Sequence, residues 1–172
     1  MVAETCLVLG AAGQVGQALH QRLLQAGQSV VALTRQDLDL RDFAAVRQTV
    51  LAIKPRWIFN AAAYTAVDQA EQEPAQAFAL NATLPAVLAE VALSLDAGLV
   101  HFSSDYVFNG QSQRPYLETD PTDPLSVYGQ SKRDGDLAVL ASRARHWVFR
   151  SSWVMAAHGQ NFLKTMLRLA CA

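Results

Sequence analysis

Cysteine is scarce in this sequence: Cys6 and Cys171 stand at opposite ends of 172 residues. Two such residues make no disulfide framework, and a reducing, cytoplasmic compartment fits them. Cys6 lies in the apolar run "TCLVL" and reads as a small buried side chain. Charge of either sign is sparse too. Charged residues are 17% of the chain and the formal net charge is −1. Neither a nucleic acid nor an anionic membrane finds an electrostatic reason to bind. Long hydrophobic runs are missing: nothing reaches the about 18 unbroken apolar residues of a bilayer-spanning helix. The opening "MVAETCLVLGAAG" has no basic flank, and Gly10 interrupts its apolar run early, so no signal peptide is expected. There is no low-complexity tract and no repeat with a period of roughly 20–50 residues.

What is present is an apolar content of 51%, enough for an ordered core in one domain spanning 1–172. Short apolar runs alternate with longer amphipathic ones. Residues 5–9, 29–34, 57–63, 99–104 and 147–152 read as strands. Residues 14–26, 41–55, 73–95, 124–140 and 161–170 read as helices, with Gly27 as a stop and Pro85 as a kink. Residues 109–124 read as a surface loop. This alternation predicts an α/β, Rossmann-like, doubly wound parallel sheet with helices on both faces.

Between the first strand and the first helix, "LGAAGQVGQ" sets Gly10, Gly13 and Gly16 at G-x-x-G-x-x-G spacing. Glycines there allow a tight turn and a close backbone approach to a pyrophosphate, and the helix opening at Gln14 points its positive end at that anion. A glycine-rich turn used only for packing is the plainer alternative. The second strand ends in Thr34-Arg35 rather than in an acid. Arg35 suits the 2′-phosphate of NADP(H), or is a solvated surface arginine. Asp39 and Leu40 are placed to bracket an adenine, or Asp39 caps the helix starting near Arg41.

Tyr128 and Lys132, at i and i+4, share one helix face. An ammonium nearby would lower a tyrosine from its usual pKa of about 10 and fit it for proton transfer. An aromatic packed beside a surface lysine is the bland alternative for this common spacing. The fourth strand runs into "HFSSDYVFNG", which puts Ser103, Ser104 and Asp105 at a carboxyl end, where open parallel sheets bind ligands. A serine there can bond a substrate carbonyl, and one of the two serines is expected to cap the strand end.

With "GAAGQVG", "NAAAYTAVDQAE", "NAT", "HFSSDYVFNG", "PYLETD", "PLSVYGQSK" and "FRSSWVMAAHGQNFLKTMLRLA" together, the chain resembles the extended short-chain dehydrogenase/reductase superfamily. Within it the likeness is to the dTDP-4-dehydrorhamnose reductases. These stretches span almost the whole chain, and "NAAAYTAVD", "SSDYVF" and "RSSWV" are more specific than the glycines.

The resemblance implies NADPH- or NADH-dependent reduction of the C4 ketone of a dTDP-sugar. It implies that Gly13, Gln14 and Val15 line the cofactor phosphates, with Gly10 and Gly16 shaping the loop. Ala62, Ala63, Tyr64 and Thr65 would follow the cofactor, and Phe102 would sit beside it. Tyr128 would donate the proton, Lys132 would hold the nicotinamide ribose and Ser104 would bond the carbonyl oxygen. Asp105, Tyr106 and Trp153 would contact the sugar nucleotide, with Val67 and Asp68 near the same pocket. Family members often carry threonine at the Ser104 position, an acid at Thr34, and "LAGE" where this chain has "RDGD". They are also longer, so the expectation is a cofactor-binding portion that stops inside a helix, lacks the substrate lobe, binds no metal and turns over weakly or not at all. A non-catalytic nucleotide module and another sugar-nucleotide reductase or epimerase are the alternatives. An exposed apolar face on the last helix would favour a homo-oligomer.

Overall fold

A computed structural model describes residues 4–171. The chain runs β1 (Thr5–Leu9), α1 (Gln14–Gln25), β2 (Ser29–Leu33), α2 (Phe43–Ile53), β3 (Trp57–Asn60), α3 (Val67–Ala70), α4 (Pro74–Phe78), α5 (Leu84–Ser94), β4 (Gly98–Ser104), α6 (Val127–Ala141), β5 (Arg145–Ser151) and α7 (Phe162–Ala170). The five strands form one sheet in the order β2-β1-β3-β4-β5, every pairing parallel. The chain leaves β1 towards one edge and returns to the other side through β3. That reversal opens a crevice at the carboxyl ends of β1 and β3, where ligands bind in open sheets of this kind.

Side-chain alternation sorts the core. Leu7, Leu9, Ile58 and Leu99 join Val46 and Val50 of α2, Leu84, Val87, Leu88 and Val91 of α5, and Val139 of α6. Burying each such side chain contributes about 1.5–3 kcal/mol. On the other face α1 packs over β1 and β2. Beyond it, Trp57, Phe59, Val100, Phe102, Trp147 and Phe149 line an open apolar groove of about 780 Å³.

Several local expectations change. β3 stops at Asn60 rather than at residue 63, because after Ala61 donates to the Leu9 carbonyl the chain turns away from the sheet. Pro85 does not end its helix. Instead α4, a π-helical segment (Ala79–Thr83) and α5 run on as one 21-residue helix. Proline has no N–H for the carbonyl four residues back, and the wider π turn absorbs that break. By length and composition this helix is apolar enough to cross a bilayer, yet half of its most apolar stretch is buried in the core. The cap of α2 is Asp42, which accepts the Ala45 N–H at 3.0 Å, not Asp39. α6 starts at Val127 under a Ser126 cap, three residues later than expected from Pro124.

Candidate functional site

The glycine loop is tightly folded. Gly10 has φ +74°, and a Cβ there would lie 2.7 Å from the backbone of Ala62. A Cβ on Gly16 would come within 2.2 Å of the Gly10 carbonyl oxygen. The loop therefore presses on both the first turn of α1 and the turn after β3. α1 has Gly13 at its N-cap, no side-chain cap and no acid in its first turn. Its first N–H groups keep their positive dipole end for an anion. A backbone cradle of this kind, closed to any Cβ, fits a cofactor pyrophosphate. The loop between β5 and α7 returns here: Asn161 Nδ2 donates to Gln14 Oε1 at 2.9 Å, and His158 Nε2 donates to the Gln14 carbonyl at 3.1 Å. A hollow of about 290 Å³ brings Gln14 and Val15 beside Phe102.

Around the end of β2, Thr34 gives its N–H and hydroxyl to Asp37 Oδ2 at 2.8 and 2.7 Å. Arg35 is exposed. Asp39 accepts from Arg41 Nε at 3.0 Å, Nη2 at 2.9 Å and the Arg41 backbone N–H at 3.0 Å, and these bonds pull its carboxyl down to about 2. Leu40 is half-buried against the main core. After β3, the Asn81 side chain clamps Tyr64, accepting its N–H at 2.9 Å and donating to its carbonyl at 3.0 Å. The Tyr64 hydroxyl donates to Glu73 Oε2 at 2.8 Å. Ala62 and Ala63 are half-buried beside this turn, Thr65 and Asp68 are exposed, and Val67 packs against Tyr128.

The side chains expected from the sequence to react gather where β4 meets α6. Ser104 Oγ accepts the Tyr106 N–H at 3.2 Å and donates to Asp105 Oδ1 at 3.0 Å, so Ser104 is the strand-end cap. Ser103 turns into the protein instead and donates to Asp136 Oδ2 at 2.7 Å. Tyr128 is buried, and Tyr106 meets it edge-on at 5.5 Å. Lys132 is 1% exposed and donates to the Phe102 carbonyl at 2.6 Å. Burial lowers the Lys132 ammonium to about 8, with Asp136 pulling the other way.

One expectation is corrected here. Tyr128 is raised above its ordinary value, not lowered. Burial is the main cause; the Ser104 hydroxyl opposes it, and Asp105, Tyr106 and Asp136 add to it. Lys132 is not among the groups that set this shift, and its Nζ points to the Phe102 carbonyl. Trp153 is 66% exposed, has φ +51° and packs edge-on against Phe162 at 4.8 Å.

Four polar residues of this neighbourhood escape a reading of the sequence: Asn81, His101, Ser103 as an acid's partner, and Asp136. Asp136 had a usable signal. It continues the face of Tyr128 and Lys132 by another four residues.

Residues 4–172 match the family profile described as the RmlD substrate binding domain. The chain belongs to this family. It is similar to the dTDP-4-dehydrorhamnose reductase of Shigella flexneri, 47% identical over 168 residues covering 95% of this chain and 56% of that protein. Among solved structures, the dTDP-4-dehydrorhamnose reductase of Clostridium acetobutylicum superposes with a TM-score of 0.93 at 36% identity, over 97% of this chain and 59% of that one. That of Bacillus anthracis, in complex with NADP, gives 0.94 at 35% identity, over 99% and 60%. The chain thus spans a little over half the length of these relatives, and its fold superposes on theirs.

Proposed function

We propose that this chain is the dinucleotide-binding portion of a dTDP-4-dehydrorhamnose reductase, with residues 1–172 acting as one domain. The reaction is reduction of the C4 ketone of dTDP-4-dehydro-L-rhamnose to dTDP-L-rhamnose. Relatives named for that activity support the reading, and so does the NADP complex of the Bacillus anthracis protein. The observation that carries it is convergence at the carboxyl ends of the strands. The uncapped start of α1, the clamped turn at Tyr64 and the Ser104–Tyr128–Lys132 group all open there.

The nicotinamide, when bound, supplies a hydride to the C4 carbon. The loop of Gly10, Gly13, Gln14, Val15 and Gly16 receives the cofactor phosphates. Arg35, exposed at the end of β2, favours a 2′-phosphate and so NADPH over NADH. Lys132 holds the nicotinamide ribose hydroxyls. Tyr128 gives its proton to the oxygen that becomes the C4 hydroxyl. Reduction needs an acid, and burial keeps Tyr128 protonated at neutral pH. The Ser104 hydroxyl turns from Asp105 to the carbonyl oxygen, beside Asp105 and Tyr106. The two free thiols among the described residues suit a reducing cytoplasm.

Calorimetry with NADPH, then with the dTDP-sugar, tests this reading. Binding of both is the expected result, with any NADPH consumption lost in Tyr128→Phe. Cofactor binding alone marks a non-catalytic module, and binding of neither ligand contradicts the proposal.

A further inference from the structure

A buried polar cluster surrounds Asp136 between β4, β5 and α6. We propose that Asp136 is the positioning residue that keeps the Lys132 ammonium charged and aimed past Phe102, and that His101 and Arg150 set how much of the Asp136 charge Lys132 feels. The inference rests on the reading of Lys132 as a ribose-holding cation.

The starting point is burial. Lys132 is 1% exposed and makes one hydrogen bond, to the Phe102 carbonyl. An ammonium carries three donors, and a buried one without a counter-charge tends to lose its proton. Asp136 lies one helical turn further along α6 and is also 1% exposed. Among the described residues it is the only buried carboxylate. It therefore supplies the negative charge that Lys132 needs in order to stay ionised.

The carboxylate is unevenly used. Its Oδ2 accepts the Ser103 hydroxyl at 2.7 Å and Arg150 Nε at 3.5 Å. Its Oδ1 has no hydrogen-bond partner. His101 Nε2, equally without a partner, stands 3.7 Å from that oxygen. Asn60 Nδ2 lies 3.2 Å from His101 Nδ1. An amide nitrogen only donates, so Nδ1 accepts and the proton sits on Nε2, on the side of Asp136. Burial and Lys132 hold the imidazole neutral. One Asp136 oxygen is thus fixed by β4 and β5, while the other is left to a weak, long contact.

The charges around Asp136 are few. β4 brings His101 and Ser103, β5 brings Arg150, and α6 brings Lys132 and Tyr128. Asp105, on the turn after β4, acts on the Tyr128 hydroxyl. Glu90, the titratable residue of α5, pairs with Arg47 on α2. Arg150 meets this carboxylate at 3.5 Å, whereas Lys132 feels its charge from one helical turn away without touching it. Arg150 competes with Lys132 for it, and its removal should leave Lys132 better served.

A staple that only ties β4 to α6 would not move the Lys132 titration, so that titration is the test. The chain has three lysines, Lys54, Lys132 and Lys164. Lys54 and Lys164 are exposed and serve as internal references. Lysine labelled with ¹⁵N at Nζ is titrated by NMR, with no cofactor or substrate present. Lys132 should titrate near about 8 in the natural chain. Asp136→Asn should lower that midpoint by about one pH unit or more, a tenfold loss of proton affinity. Asp136→Glu should restore it, and Arg150→Gln should raise it. Unchanged midpoints in folded Asp136→Asn and Arg150→Gln overturn the proposal. If Asp136→Asn does not fold, Arg150→Gln decides alone: a rise supports the proposal and no shift ends it. Because no nucleotide is in the sample, failure here leaves the reductase reading standing, and failure of NADPH binding leaves this titration standing.

Discussion

Lys132 links stability to pH in a definite direction. Burial brings its folded-state midpoint from 10.5 to about 8. Between those values the unfolded chain keeps a proton that the folded chain has lost. Stability therefore rises with pH through that window. Below it both states are protonated, and the cost of burying the charge is present in full. Lys132→Met removes the titration and keeps the volume. The urea midpoint of the natural chain, minus that of Lys132→Met, should climb between about pH 8 and pH 10. A flat difference across that range would mean that the lysine is not held in a dry site. The residue scale also shows what a sequence can reveal. Tyr128 and Lys132 are legible because helical spacing alone puts them on one face. Ser103 and Asp136 are 33 residues apart, and Asn60 and His101 are 41 apart. Such partners meet only through the strand order, which no local pattern encodes. The raised Tyr128 illustrates the same limit: burial sets its environment, and burial depends on elements distant in the chain.

At the scale of elements, α6 and the π-helical segment are packed to backbone contact. A Cβ on Gly135 would come within 1.9 Å of the Asn81 carbonyl oxygen. That carbonyl is the one Pro85 cannot satisfy, so the proline, the π turn and the glycine form one arrangement. Gly135→Ala should push α6 away and cost about 1–3 kcal/mol in urea unfolding. Asn81 also bonds Tyr64 and Ser131, so the shift should loosen the turn after β3 as well. Undiminished stability in Gly135→Ala would show that the two helices have slack between them. β1, its glycine loop and α1 were readable because a short apolar run and a helical pattern meet at glycines. The continuous helix through Pro85 was not, since a proline in a helical run signals a kink unless a π turn intervenes. α3 lies in "AYTAVDQA", has Ala66 at its N-cap with no side-chain cap bond, and packs against α6. The α2 cap moved to Asp42 because Asp39 is bound to Arg41.

The whole molecule presents apolar surface that its own fold leaves open. Phe162, Leu163, Met166 and Leu167 of α7 are all exposed. Such a face promotes association. Light scattering should show mass rising with concentration, and Leu163→Lys with Leu167→Lys should suppress the rise. A mass of one chain at every concentration would exclude the effect. The central claim concerns the carboxyl ends of the strands, where the glycine loop, Tyr64 and Lys132 converge on the proposed dinucleotide site. Calorimetric titration of NADPH into the natural chain and into Gly16→Val tests it most directly. A valine there would drive its side chain into the Gly10 carbonyl, which lies 2.2 Å from where a Cβ would stand. The account predicts saturable one-site binding to the natural chain and its loss in Gly16→Val. No binding to the natural chain, or equal binding to both, would contradict it.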